Sequence, residues 1–186
     1  MTLADGLLDG ETIRRLVEEV AHELDSDGVT QHVVIVVGGS LLAWHGLRDA
    51  TRDVDSIGRI DPELRVAINA VAARHRLAVD WLNDSATPFG PATLDVAQCD
   101  VLIESQRLLV LGAPLRDVFL MKLSRSDVAD LADMRSMWPH ISDGFATAGE
   151  VVDAFYAAFP HEPSDEHLAS FVVTELAKGG FSLPLG

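Results

Sequence analysis

Residues 32–40, HVVIVVGGS, constrain the fold more than any other stretch of the chain. Val33 to Val37 form a short, continuous, β-branched run, which reads as a strand buried on both faces. The run ends in Gly38-Gly39-Ser40 and leads into a short helix, Ser40 to Leu47, that stops near Gly46. Glycines between a buried strand and a helix have two readings. They are a tight structural turn, or they let backbone N–H groups approach a phosphate, with Ser40 adding a hydroxyl donor. The lysine and spacing of a Walker loop are absent, and so is GxGxxG.

The segments around this turn alternate between helix and strand. Ile13, Leu16, Val17, Val20 and Leu24 recur at helical spacing across 11–25, with Asp9 as a cap and a break at Asp25 to Gly28. DVDSI (53–57) reads as a second strand, 62–75 as a helix and LAVDWL (77–82) as a third strand. VLIES and RLLVLG within 101–112 read as a hairpin around Ser105-Gln106. From Pro114 onward the pattern is helical, with two helices across 114–138 broken near Ser124–Ser126. A third helix carries Val151, Val152, Phe155 and Phe159 before Pro160, and a last one, capped by Ser164, ends at Gly179-Gly180. The expected organisation is an α/β (α+β) core over 1–112 and a C-terminal helical region over 113–186.

Asp53 and Asp55 bear on which reading of the glycines holds. Residues i and i+2 of a strand share a face, so both carboxylates project together while Val54 enters the core. Such a pair repels unless a cation lies between its members, and Mg²⁺ favours carboxylates combined with substrate phosphates. A solvated Asp-x-Asp, or one paired with Arg48 or Arg52, is the plainer reading. Asp80, set in an apolar strand, is a possible third carboxylate beside them. Only two lysines occur, Lys122 and Lys178. Lys122, in FLMKL, either reaches the surface along its alkyl stem or contacts phosphate. Asp130 and Asp133, one helical turn apart, are placed to fix Lys122 or Arg125.

Together these residues resemble the nucleotidyltransferase superfamily of polymerase-β-like fold. VVGGSLLAWHGLRDATRDVDSI, AVDWLND and PLRDVFLMKLSRSDVADLADM are similar to its AbiEii/MenT-type branch, many of whose members are toxins of toxin–antitoxin systems. The resemblance spans about 31–138. It implies a mixed β-sheet flanked by helices, with the C-terminal helices completing the site. It assigns Gly38, Gly39 and Ser40 to the triphosphate of an NTP, and Asp53, Asp55 and Asp80 to Mg²⁺ or Mn²⁺ and catalysis. It gives Lys122 a phosphate contact, supported by Arg125, Asp130 and Asp133. The implied reaction moves NMP from an NTP to an acceptor hydroxyl, with ATP among the possible donors. The implied acceptor is a tRNA 3′ end, and the implied partner is an antitoxin that in some systems phosphorylates a hydroxyl residue at the position of Thr51. Transfer to a small molecule such as an aminoglycoside, or a non-catalytic module of the same fold, are the alternatives.

Composition narrows the partners. Fourteen Lys and Arg against 29 Asp and Glu give a formal net charge of −15, which disfavours an extended footprint on duplex nucleic acid. One cysteine, Cys99, excludes an internal disulfide framework and a cysteine-based zinc site. No stretch approaches the ~20 apolar residues of a membrane span, and the first residues lack signal-peptide character. A cytoplasmic protein with no membrane partner is expected.

Overall fold

The computed structural model describes residues 6–24 and 28–186, so all but Gly28 of the expected break at Asp25 to Gly28 lies outside the described residues. The chain divides into two compact units, residues 1–90 with 96–113, and residues 91–95 with 114–186.

In the first unit, α1 (Gly10–Glu23) starts where the Asp9 carboxylate accepts a 2.8 Å hydrogen bond from the Thr12 amide. It buries Ile13, Leu16, Val17 and Val20 against α2 (Gly38–Trp44) and α3 (Pro62–His75). The mixed sheet has the order β3-β2-β1-β5-β4. Its strands are β1 (His32–Val36), β2 (Val54–Ile57), β3 (Leu82–Asn83), β4 (Asp100–Glu104) and β5 (Leu108–Gly112). β1 pairs antiparallel with β2 and parallel with β5, so Ile35 lies between Ile57 and Leu111. The β1 run is buried except at Val33. β4 and β5 form the expected hairpin, closed by the Ser105 amide donating to the Leu108 carbonyl at 2.8 Å.

One strand is much shorter than its sequence suggests. Of LAVDWL only Leu82 joins the sheet; Leu77 to Trp81 form the exit from α3 and a turn. Parallel pairing with β2 begins at Val54↔Leu82, and residues before Leu82 have no strand beside them because β2 itself begins at Val54. Val79 is therefore exposed, whereas Trp81 is buried and donates its indole N–H to the Ile68 carbonyl at 3.3 Å.

β1 is tied at its start by a buried polar group. His32 Nδ1 lies 2.5 Å from Asp61 Oδ2, and Asp61 also caps α3 by accepting from the Glu63 and Leu64 amides. Buried Arg107 joins the cluster through Glu63 at 2.7 Å and through the Thr30 carbonyl at 2.8 Å.

The close approach of α1 to α2 gives a first prediction. A Cβ on Gly10 would lie 2.3 Å from the Ala43 carbonyl oxygen, a backbone atom that cannot swing aside. Gly10→Ala is expected to destabilise the chain by about 1–3 kcal/mol, the usual range for overpacking, as read by urea denaturation.

The second unit holds α4 (Leu115–Arg125), α5 (Val128–Ile141), α6 (Ala148–Ala158) and α7 (Leu168–Lys178). α4 ends at Ser126, which adopts a left-handed conformation with φ 52°, and Asp127 caps α5. Phe119, Trp138 and Phe145 form an aromatic core with centroids 5.7 and 6.1 Å apart. α7 begins at Leu168 with His167 at its cap, so Ser164 does not start it. Among the described residues no helix is long and apolar enough to cross a membrane.

Candidate active site

Gly38, Gly39 and Ser40 form the first turn of α2 itself rather than a loop before it. Gly38 has φ +65°, a conformation that favours glycine, and a Cβ there would lie 3.3 Å from Asp55 Oδ2. A Cβ on Gly39 would lie 3.0 Å from Arg48 Nη1 and 3.2 Å from Thr51 Oγ1. The Val37 amide donates to the Asp55 carbonyl at 3.0 Å. The glycine turn and the aspartate strand therefore meet. Ser40 departs from its expected role: it is buried, and its hydroxyl donates to the Val37 carbonyl at 2.9 Å. Here that hydroxyl closes the strand-to-helix turn instead of facing a ligand.

Asp53 immediately precedes β2 and Asp55 lies within it; both are half-buried, while Val54 and Ser56 between and beyond them are buried. Burial therefore alternates along 53–56. Burial, followed by the charges of Asp55 and Asp80, raises the Asp53 carboxyl above the ordinary range, against the pull of its own backbone amide and of Arg48. Asp80 is thus near enough to act on Asp53, but from an exposed turn, not from inside a strand. The Asn83 side chain ties that turn by donating to the Asp80 carbonyl at 3.1 Å. Among the described residues no group of three or more His, Cys, Asp or Glu is arranged to hold a metal ion. The donors suit a hard divalent cation held by one or two carboxylates and completed by substrate phosphates, rather than an all-protein cage.

Lys122, Arg125, Asp130 and Asp133 come together within the second unit. Lys122 Nζ lies 2.6 Å from Asp130 Oδ1 and 2.8 Å from Asp133 Oδ2, with the lysine side chain 5% exposed. Arg125 grips Asp130 through two N–H groups, at 3.0 and 2.8 Å. Burial pushes the Asp130 carboxyl up, but hydrogen bonds from Arg125 and Lys122 outweigh it and hold the group below its usual range. The expected phosphate-contacting lysine is a buried ion-pair member joining α4 to α5.

Two residues carry more than their sequence context indicates. Arg48 lies against Gly39, and its Nε donates to the Ala50 carbonyl at 2.9 Å. Its position five residues before Asp53 is the sequence signal for it. Thr51 is 7% exposed and exchanges backbone hydrogen bonds of 2.7 and 2.9 Å with Leu8.

A five-stranded mixed sheet flanked by helices, with a glycine turn facing an Asp-x-Asp pair, defines a nucleotidyltransferase-type domain. Residues 11–138 match the family described as "Nucleotidyltransferase of unknown function (DUF6036)", and the chain belongs to that family. The match bears out the superfamily resemblance and does not extend to the AbiEii/MenT branch. No curated protein and no solved structure matches the chain.

Proposed function

We propose that the chain transfers a nucleoside monophosphate from an NTP to an acceptor hydroxyl, releasing pyrophosphate. The observation that carries this reading is the contact of the two motifs, with Asp55 Oδ2 3.3 Å from the Cβ position of Gly38 and Asp53 half-buried beside it. In this reading the Gly38–Gly39 backbone receives the polyphosphate, and Asp53 and Asp55 hold Mg²⁺ or Mn²⁺. When bound, the cation supplies charge neutralisation for the entering and leaving oxygens of an in-line displacement. Asp80, exposed and electrostatically coupled to Asp53, takes the proton of the acceptor hydroxyl. The chain's other work is positioning, since phosphoryl chemistry asks little covalent participation of a protein. Lys122, Arg125, Asp130 and Asp133 serve by fixing α4 to α5.

The resemblance to the toxin branch supports a tRNA 3′ end as acceptor and a cognate antitoxin as partner. A net charge of −15 suits a partner with a basic surface. The test is incubation with Mg²⁺ and each α-labelled NTP, offering total tRNA, aminoglycosides or no acceptor. Label on tRNA is the expected result. Label only on the small acceptor replaces the acceptor assignment, and no transfer in any mixture leaves a binding module of the same fold.

A further inference from the structure

We infer that Phe89 is the stacking platform for the base of the nucleotide, carried on a short turn that is fixed to the end of β2. The inference rests on the nucleotidyl-transfer reading and names what grips the part of the substrate beyond its phosphates.

Asp55 and Ile57 stand two residues apart within β2, so their side chains share a face of the sheet, separated by about 7 Å along the strand. The segment that borders Ile57 is a single helical turn, Thr87–Phe89, with Gly90 after it. A Cβ on Gly90 would lie 3.3 Å from Ile57 Cδ1 and 3.4 Å from Ile57 Cγ2. The Thr87 hydroxyl accepts from the Gly58 amide at 3.1 Å and donates to the Gly58 carbonyl at 3.3 Å. The turn itself is closed by the Phe89 amide donating to the Ala86 carbonyl at 2.9 Å. The backbone of Phe89 is therefore tied to the strand that carries Asp55, and all of these residues belong to the first compact unit.

The ring of Phe89 takes no part in that anchorage. The residue is 63% exposed, and its ring meets no other aromatic ring or cation among the described residues. Thr87 and Gly90 hold the turn, which leaves a large flat apolar group presented to water on a fixed backbone. Such a group gives up little freedom when a flat ligand covers it. The nucleotide supplies that ligand. With its phosphates and cation at Asp53 and Asp55, the ribose bridges a separation of this order and brings the base to the Ile57 end of the strand. Stacking on an aromatic ring adds affinity without reading base identity, because every base has a π face. The one hydroxyl of the turn, on Thr87, is already engaged by Gly58. A purine and a pyrimidine nucleotide should therefore both depend on Phe89.

The experiment is calorimetric titration, in Mg²⁺ buffer without acceptor, into the full chain and its Phe89→Ala, Phe89→Trp and Val66→Ala variants. The ligands are α,β-methylene ATP, α,β-methylene CTP and inorganic tripolyphosphate, which has no base. Phe89→Ala is expected to weaken both nucleotides by at least about fivefold and to leave tripolyphosphate unchanged. Phe89→Trp should bind nucleotide at least as tightly as the original, and its added emission should change on binding. Val66→Ala trims an equally exposed apolar side chain on α3 and should bind as the original does. Unchanged nucleotide affinity in Phe89→Ala, an equal loss for tripolyphosphate or in Val66→Ala, or no nucleotide binding by the unmodified chain overturns the inference. If Phe89→Ala melts below the assay temperature, Phe89→Trp decides: an altered emission supports the platform, and an unaltered one removes it. Nucleotide binding that depends on Phe89 without transfer to any acceptor retains this inference and removes the proposed function. Transfer with an NTP KM unchanged in Phe89→Ala does the reverse.

Discussion

Asparagine at Asp53 or at Asp55 is expected to lower the rate of nucleotidyl transfer by at least about a thousandfold, equivalent to ~4 kcal/mol of transition-state stabilisation. Each substitution keeps the shape of the side chain and removes one of the two neighbouring carboxylate charges. The folded state should not suffer. Burial and the charges of Asp55 and Asp80 already oppose ionisation of Asp53, so Asp53→Asn relieves repulsion in the absence of a cation. Melting temperatures equal to or above that of the unmodified chain should accompany the lost activity. The decisive measurement is the initial rate of label transfer at saturating Mg²⁺ beside a thermal melt. Either variant retaining activity within tenfold of the original would remove the carboxylates from the chemistry.

The second large effect lies in the other unit and acts on stability. Lys122→Met leaves Asp130, whose side chain is 1% exposed, with a single cationic partner, and leaves Asp133 without its lysine. Breaking a buried pair from one side costs about 3–5 kcal/mol, mostly because the remaining charge stays buried. Urea denaturation should show that loss, and a Lys122→Met/Asp130→Asn double variant should recover part of it. A loss under about 1 kcal/mol would mean that Lys122 is not held as a structural ion. The same cluster sets an acid dependence. Its folded-state carboxyl lies below the ordinary value, so Asp130 contributes stability above its unfolded pKa of about 3.9. That contribution is lost as pH falls through the depressed folded value, and Asp130→Asn should flatten the acid limb of stability against pH.

Periodicity and caps made most elements legible. Asp9 and Asp61 mark helix starts with side chains that satisfy free amides, and 62–75 forms a helix over the range its pattern indicates. LAVDWL was misleading because alternation describes a strand's own faces but not whether a neighbour exists to pair with it. Only two residues of β3 find one in β2. At the site, Asp53 and Asp55 were legible because strand alternation is local. The assignments of Ser40 and Lys122 depended on where a polar side chain finds its partner. For Ser40 that partner is a carbonyl three residues back, and for Lys122 it is two carboxylates on the next helix. Neither distance can be read from spacing alone.

The cluster of His32, Asp61, Glu63 and Arg107 has a mechanical meaning for the far end of β1. It pins that strand at its first residue to the cap of α3, and hydrogen bonds to β2 and β5 hold the rest. The strand is thus a fixed datum, and the Gly38 turn at its end inherits a fixed position. The 45–53 segment, which joins that turn's helix to β2, takes its anchorage instead from the first described residues of the chain, through the pair of backbone bonds between Thr51 and Leu8.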